Sequence, residues 1–120
     1  MKKILIVDDQ PQISKILNDI LVKSGYKTEV AFNGEQGYLK ALEVRPDLII
    51  MDIMMPVLSG FDSTKKIKAN SEISHIPIIF LSAKGQDSDK EDAAKLGVSH
   101  FITKPFSTKN VIEIIQKILV

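Results

Sequence analysis

The sequence predicts an open α/β fold in which five parallel strands form one doubly wound sheet with helices on both faces. Short apolar runs alternate with longer amphipathic runs along the whole chain, the connections are a few residues long, and no repeat or low-complexity segment interrupts the alternation. Alternating strands and helices form parallel sheets covered by helices on both sides. Five such units are too few for an eight-stranded barrel, so an open sheet remains.

Length and composition favour one domain. The chain has 120 residues, of which 44% are hydrophobic and 26% are charged, and we expect residues 1–120 to form a single domain.

The composition also excludes several classes of site. The absence of cysteine excludes disulfides, thiolate metal sites and cysteine nucleophiles. A net charge of +1 argues against a strongly basic nucleic-acid-binding protein. Residues 76–81 are the longest apolar run, far short of the about 20 residues of a membrane span. Residues 4–7 are too few for a signal peptide, so we expect a soluble, cytoplasmic protein.

The first unit pairs a buried strand with an amphipathic helix. Ile4–Val7 is continuously apolar, as expected of a strand covered on both faces. The helix begins near Pro11, since proline is tolerated in a first turn, and ends near Gly25, a typical C-terminal cap. Its apolar stripe has the spacing of one helix face and consists of Ile13, Ile16, Leu17, Ile20 and Leu21.

The second unit begins with a strand of a different kind. Polar and apolar residues alternate over residues 26–30, which predicts a half-solvated strand at the edge of the sheet. A helix opens at Asn33-Gly34 and ends before Pro46, because the residue before a proline disfavours helical geometry. The apolar positions of this helix are Tyr38, Leu39 and Leu42.

The remaining three units repeat the alternation. Strands are predicted over residues 48–51, 77–81 and 100–102. Helices are predicted over residues 59–69 and 87–96, the latter stopped by Gly97. The last helix carries one apolar face, formed by Val111, Ile114, Ile115, Ile118 and Leu119.

Polar side chains stand at the carboxyl ends of four predicted strands. The first strand ends in Asp8 and Asp9, the third in Asp52, the fourth in Ser82, and the fifth in residues 103–105, which include Lys104. Open α/β sheets bind their ligands beyond the carboxyl ends of the strands. We therefore expect these five side chains to form one site.

The residue types at these positions suit phosphoryl chemistry. Three neighbouring carboxylates raise each other's pKa unless a counter-charge is present, and Lys104 and a cation are the two available counter-charges. An all-oxygen site with few protein ligands suits Mg²⁺. A carboxylate beside such an ion and an ammonium group can accept a phosphoryl group. Taken singly, the acid pair could be a turn and helix cap, Ser82 a turn residue and Lys104 a surface lysine. Their joint placement favours a functional site.

With these motifs in place, the sequence resembles the receiver domains of two-component response regulators, in particular single-domain members of the chemotaxis-regulator type. The resemblance extends from Lys3 to Leu119. It implies a flavodoxin-like (βα)5 fold with strand order 2-1-3-4-5. The motifs that carry it are residues 4–9, 47–56 followed by Gly60, 78–83, 93–97 and 101–106.

The resemblance also implies a metal and an acceptor. Asp52 corresponds to the phospho-acceptor and contributes to the Mg²⁺ site. Asp9 corresponds to the direct ligand and Asp8 to a ligand that acts at least partly through water. The backbone carbonyl of Met54 completes the protein ligands.

Further roles follow for residues of the last two strands. Ser82 corresponds to the switch hydroxyl, Lys104 to the lysine that pairs with the phosphoryl group, and Phe101 to the switch aromatic, where tyrosine is commoner. The Lys104–Pro105 peptide bond is expected to be cis. Met54 and Lys84 offer no acceptor to orient a water, which predicts a phosphorylated state that is long-lived for the family.

The implied function is a phosphorylation-activated signalling switch rather than a metabolic enzyme. Its donor would be a sensor histidine kinase or a histidine phosphotransfer protein, and it would catalyse only its own phosphorylation and dephosphorylation. A downstream protein partner would bind the face formed by the fourth helix, fifth strand and fifth helix, without direct contact to nucleic acid or membrane. The chain ends with the fifth helix and shows no linker composition there, which favours a complete protein over a fragment.

Two other functions fit the predicted fold less well. A small Mg²⁺-dependent phosphatase could use Asp52 as nucleophile, but the second aspartate usual two positions later is replaced by Met54. A flavin or nucleotide carrier would need a glycine-rich phosphate loop after the first strand. This chain has Asp8-Asp9-Gln10-Pro11 there, which would repel phosphate in the absence of a metal.

Overall fold

The computed structural model describes residues 1–83 and 87–119, which form five β-strands and five α-helices in strict alternation. The elements are β1 (Lys3–Val7), α1 (Pro11–Lys23), β2 (Lys27–Ala31), α2 (Gly34–Val44), β3 (Leu48–Asp52), α3 (Gly60–Ala69), β4 (Ile78–Ala83), α4 (Asp87–Lys95), β5 (His100–Lys104) and α5 (Thr108–Ile118).

The sheet has the predicted architecture. All four strand pairs are parallel, and the strand order is β2-β1-β3-β4-β5. β2 lies at one edge, as its alternating pattern predicts, whereas β1, β3 and β4 each have two neighbours. In the described part of the chain, no helix is long and apolar enough to cross a membrane.

Successive residues of the strands pack into two separate cores on the two faces of the sheet. Leu5 and Val7 contribute to one core, which α2, α3 and α4 cover through residues such as Ala41, Ile67 and Ala93. Ile4 and Ile6 contribute to the other core, where α1 and α5 pack through Leu17, Leu21, Val111 and Ile115. Burial of strands on both faces accounts for their continuous apolar runs.

Three strands extend further than their apolar runs. β3 ends with Asp52 and β5 with Lys104, and Ser82 is the next-to-last residue of β4. Each pairs within the ladder: Asp52 with Leu81, Ser82 with Thr103, and Lys104 with Ala83. The sequence prediction placed these polar residues at the strand ends, which the structure confirms, although the apolar runs alone stop earlier because a polar residue interrupts the hydrophobic signal.

Two predicted apolar positions lie outside the cores. Ile16 of α1 is 48% exposed and Leu39 of α2 is 54% exposed. Both helices are otherwise bounded as predicted: Pro11 is the first residue of α1, and the Asn33 side chain caps α2 by accepting a hydrogen bond from Gln36 N at 2.8 Å. Gly25 has φ +93° just after α1, a left-handed conformation that favours glycine.

Candidate functional site

The alternation of side chains along the strands brings three site residues to the same side of the sheet. Asp8 continues the series Ile4, Ile6, whose members face the core covered by α1 and α5. Asp52 continues the series Leu48, Ile50 in the same core, and Lys104 follows Ile102. Since the strands are parallel and in register, the three polar ends meet at the carboxyl edge of β1, β3 and β5.

The predicted site residues are in contact. Lys104 Nζ lies 3.4 Å from Asp52 Oδ1 and 3.7 Å from Asp8 Oδ2. Asp8, Asp9 and Asp52 each offer a carboxylate oxygen within 4.8 Å of the others. Asp8 is fully buried and Asp52 is 5% exposed, so the ammonium and the carboxylates interact largely shielded from bulk water.

Backbone and side-chain hydrogen bonds hold Asp8 in place at the start of α1. Its Oδ1 accepts a hydrogen bond from Gln10 N at 2.8 Å, and its backbone carbonyl accepts one from Ser14 Oγ at 3.3 Å. Asp8 Oδ2 is buried and accepts no hydrogen bond among the described residues. Its distance from Lys104 Nζ is too long for a hydrogen bond. An unsatisfied buried carboxylate oxygen is costly, and a cation would satisfy it.

The loop that follows Asp52 is held by the first residue of α3. Gly60 N donates a hydrogen bond to the Ile53 carbonyl at 2.9 Å. A Cβ atom at Gly60 would lie 2.1 Å from the Asp52 carbonyl oxygen, well inside van der Waals contact. Glycine is therefore required at this position because two backbone segments approach closely, and this approach determines where the loop leaves β3.

Burial raises the pKa values of the two inner carboxyl groups, Asp8 and Asp52. Desolvation raises the pKa of Asp52 to about 6; the charge of Asp8 adds to the increase, and Lys104 opposes it. Desolvation also raises the pKa of Asp8, against the hydrogen bond from Gln10 N and the charge of Lys104. One ammonium group thus does not compensate three neighbouring carboxyl groups.

These observations fit a hard divalent cation. The donor set is all oxygen, one buried donor atom has no partner among the described residues, and the local charge is insufficiently compensated. Mg²⁺ prefers such sites, in which one or two carboxylates bind it and the remaining positions are left to water and phosphate oxygens. Asp8, Asp9 and Asp52 are the residues that would hold it.

Ser82 and Phe101 lie on the other side of the sheet from Lys104. Ser82 is buried at the end of β4, two residues after Phe80, which pairs in register with Phe101. Ser82 and Phe101 therefore share a face of the sheet, and the Phe80 and Phe101 rings lie 6.3 Å apart. The hydroxyl and the aromatic ring thus belong to adjacent strands and lie on the same face of the sheet.

A cleft of about 250 Å³ opens at the carboxyl ends of the strands. Asp9, Asp52, Ser82 and Lys104 line it, together with Met54, whose side chain is 79% exposed. Lys84, the other residue on which the long-lifetime prediction rests, lies outside the described residues.

The Lys104–Pro105 peptide bond is cis, which confirms the cis geometry predicted for it.

The cleft also contains a residue that the sequence did not indicate. Asp89 of α4 is one of its lining residues, half-buried, and partial burial together with the charge of Asp92 raises its pKa. It lies in a polar helix with a weak apolar pattern, which gives no sign of which side chains face the site. Only its position two residues after the start of a helix that follows β4 could have indicated it.

The raised pKa of Asp52 predicts how stability depends on pH without metal. The folded state, with a pKa of about 6, binds the proton more tightly than the unfolded state at 3.8. The free energy of unfolding therefore falls as pH rises from about 4 to about 6, and it stays at the lower value above that range. In a chelator, Asp52→Asn should be more stable than wild type at pH 7.5 by about 1–3 kcal/mol.

Urea unfolding at pH 4.5 and 7.5 measures this effect. The Asp52 carboxyl group should contribute more to the unfolding free energy of wild type at pH 4.5 than at pH 7.5. In Asp52→Asn this contribution is absent, so the difference in stability between the two pH values should be smaller. Added Mg²⁺ should raise the stability of wild type at pH 7.5 by mass action. Equal stability of the two proteins at pH 7.5 in the presence of a chelator would mean that the charge on Asp52 does not destabilise the folded state.

The fold agrees with a comparison of the chain against known families. The chain matches the model of the response regulator receiver domain over residues 4–116. This match covers nearly the whole chain, and the chain belongs to the receiver domain family of two-component signalling, whose members act as phosphorylation-activated switches.

Individual relatives support the same assignment. Protein PilH of Pseudomonas aeruginosa is 36% identical over 99% of this chain and 98% of its own length. The chemotaxis protein CheY4 of Vibrio cholerae has the same fold, with a TM-score of 0.93, 30% identity and 98% coverage of both chains. The receiver domain of sensor histidine kinase PA1611 of Pseudomonas aeruginosa matches with a TM-score of 0.90 and 31% identity, over 99% of this chain and 98% of that one. Its structure holds a magnesium ion in the active site cleft. The chain spans only about half the length of several other curated relatives that are transcriptional regulators.

Proposed function

We propose that residues 1–120 act as a receiver domain in which Asp52 accepts a phosphoryl group from a phosphohistidine, with Mg²⁺ held by Asp8, Asp9, Asp52 and the Met54 carbonyl. The observation that carries the proposal is the contact of Lys104 Nζ with Asp52 Oδ1 at 3.4 Å beside the acid pair. The donor would be a sensor histidine kinase or a histidine phosphotransfer protein, as is usual for receiver domains.

Each residue has a part in the transfer. Asp52 Oδ attacks phosphorus while the bond from phosphorus to the donor nitrogen breaks, and the electron pair of that bond leaves with the imidazole. Lys104 pairs with the negative charge on the phosphoryl oxygens, and the Ser82 hydroxyl can donate a hydrogen bond to one of them. When bound, Mg²⁺ supplies positive charge to the same oxygens. In its absence the raised pKa of Asp52 lowers the fraction of nucleophilic carboxylate near neutral pH.

The phosphatase alternative lacks support at the cleft. A general acid for an alcohol leaving group would be expected two residues after Asp52, where Met54 is apolar and largely exposed. We therefore expect no turnover of phosphate monoesters.

Incubation with acetyl phosphate tests the proposal. With Mg²⁺, intact-mass spectrometry should show one added phosphate that is removed by mild base, and chelation of the metal should abolish the addition. A multiple-turnover assay with p-nitrophenyl phosphate should show no release of nitrophenol. Labelling that is insensitive to chelator, or steady hydrolysis of the monoester, would contradict the proposal.

Ser82 should couple phosphorylation to the output surface. Once Asp52 is phosphorylated, Ser82 would move to bond the new oxygens and leave space on its face of the sheet for the Phe101 ring. Ser82→Ala should therefore still be phosphorylated but should show weaker changes on α4, β5 and α5, the proposed face for a downstream partner. Amide chemical shifts with and without phosphorylation measure this; wild-type shift changes on that face in Ser82→Ala would refute the route.

A further inference from the structure

Asp89 is a carboxylate of the cleft to which the proposed chemistry gives no task. It reaches the cleft from α4, beyond β4, whereas the acid pair reaches it from the end of β1 on the other side of β3. It is not a member of the three-carboxylate cluster that would hold the metal. None of the ion pairs between described residues involves it, although Asp92, one turn further along α4, contacts Lys95 at 3.9 Å.

Loss of the phosphoryl group requires an oriented water at the mouth of this cleft. Asp52 is buried at the floor, so an attack in line with its bond to phosphorus must come from the open side. Among the lining residues that the structure describes, Met54 has no acceptor oxygen, Asp9 belongs to the metal cluster, and the Ser82 hydroxyl is assigned to the phosphoryl group, so Gln10 and Asp89 remain.

We propose that the Asp89 carboxylate accepts a hydrogen bond from the water that hydrolyses phosphorylated Asp52 and so sets the residual rate of hydrolysis. This inference rests on the proposed function, since it requires phosphorylation of Asp52. Asp89 and the acid pair reach the cleft from opposite sides of β3, and Asp89 is the carboxylate on the α4 side among the lining residues that the structure describes. Partial burial makes its carboxylate a better acceptor than an exposed one, since less bulk water competes for it.

The step balances without another reactant. The water oxygen forms a bond to phosphorus while the bond between phosphorus and Asp52 Oδ breaks, and that electron pair stays on the Asp52 carboxylate. The proton lost by the water passes to the departing phosphate, which leaves as dihydrogen phosphate. Asp89 orients the water and is unchanged at the end.

The inference is consistent with slow hydrolysis for the family. Met54 supplies no acceptor, so among the described lining residues the water is offered one carboxylate on the α4 side. Removing that carboxylate should lengthen the lifetime further, whereas adding an acceptor at position 54 should shorten it.

Decay of the phosphorylated protein after removal of acetyl phosphate tests the inference. Asp89→Ala should decay roughly 10- to 100-fold more slowly than wild type, because water orientation is lost. Asp89→Asn keeps an acceptor oxygen and should fall between the two. The matched control is Glu91→Ala, which removes an exposed carboxylate of the same helix that does not line the cleft and should decay like wild type.

Two further readouts separate this role from a structural one. The rate of phosphorylation and the Mg²⁺ affinity of unphosphorylated Asp89→Ala should stay within about twofold of wild type, since loosening of α4 would change all three quantities. Equal decay of Asp89→Ala and wild type, equal slowing in the Asn and Ala variants, or slowing in Gln10→Ala instead would overturn the inference. Failure of wild type itself to take up phosphate would refute the proposed function, which is a different result.

Discussion

Asp52→Asn should take up no phosphate from acetyl phosphate and Mg²⁺, while wild type takes up one. The substitution removes the nucleophilic oxygen but keeps the size of the side chain, and the neutral amide fits a pocket in which burial and Asp8 already disfavour a charge. The variant should therefore fold like wild type and lose only the ability to accept a phosphoryl group. Intact mass after incubation measures uptake, and urea unfolding measures stability.

A matched variant shows that the effect belongs to this carboxylate. Asp62→Asn changes an exposed aspartate of α3, which lies 3.8 Å from Lys65 Nζ and not in the cleft. It should be labelled as fully as wild type. Full labelling of Asp52→Asn would mean that another group accepts the phosphate.

Gly60→Ala should have the second large effect, on stability and metal binding together. The added methyl group would lie 2.1 Å from the Asp52 carbonyl oxygen and 2.8 Å from Ile53 Cα. Because both atoms belong to the backbone, the loop after the acceptor must shift. We expect a loss of at least about 2 kcal/mol of unfolding free energy and a Mg²⁺ affinity reduced by about tenfold or more.

Gly25→Ala is the control for this substitution. Gly25 has φ +93°, a methyl group added there would meet no atom within 4 Å, and the residue lies at the opposite end of the strands, before β2. The left-handed backbone should cost about 1 kcal/mol and leave Mg²⁺ affinity unchanged. Wild-type metal affinity in Gly60→Ala would show that the close approach does not position Asp52.

The fold was largely predictable because burial on both faces gives each inner strand a continuous apolar run. β1 and β3 are recognisable from such runs alone. The apolar runs of β3, β4 and β5 stop short of Asp52, Ser82 and Lys104, which pair as strand residues without an apolar side chain, but these residues were predicted at the strand ends. The strand order came from the family resemblance, since periodicity does not say which strands are neighbours.

The sequence predicted which strand-end residues lie together at the site but not the distances between them. Parallel strands bring their carboxyl ends to one edge, which placed Asp8, Asp52 and Lys104 together. The contact distances could not be predicted, and neither could the close approach of Gly60 to the Asp52 carbonyl, because both depend on how the loop after β3 packs. Asp89 could not be identified, because its place in the cleft depends on how a polar helix lies against the sheet.

Identification of the phosphorylated residue in the unaltered protein tests the assignment of the acceptor most directly. Phosphorylated wild type can be treated with borohydride, which reduces an acyl phosphate to the corresponding alcohol, and then digested and sequenced by mass spectrometry. We predict that the aspartate at position 52 is converted to homoserine and that no other residue is modified. Conversion of Asp8, Asp9 or Asp89, or a stable phosphate ester on Ser82, would contradict the assignment.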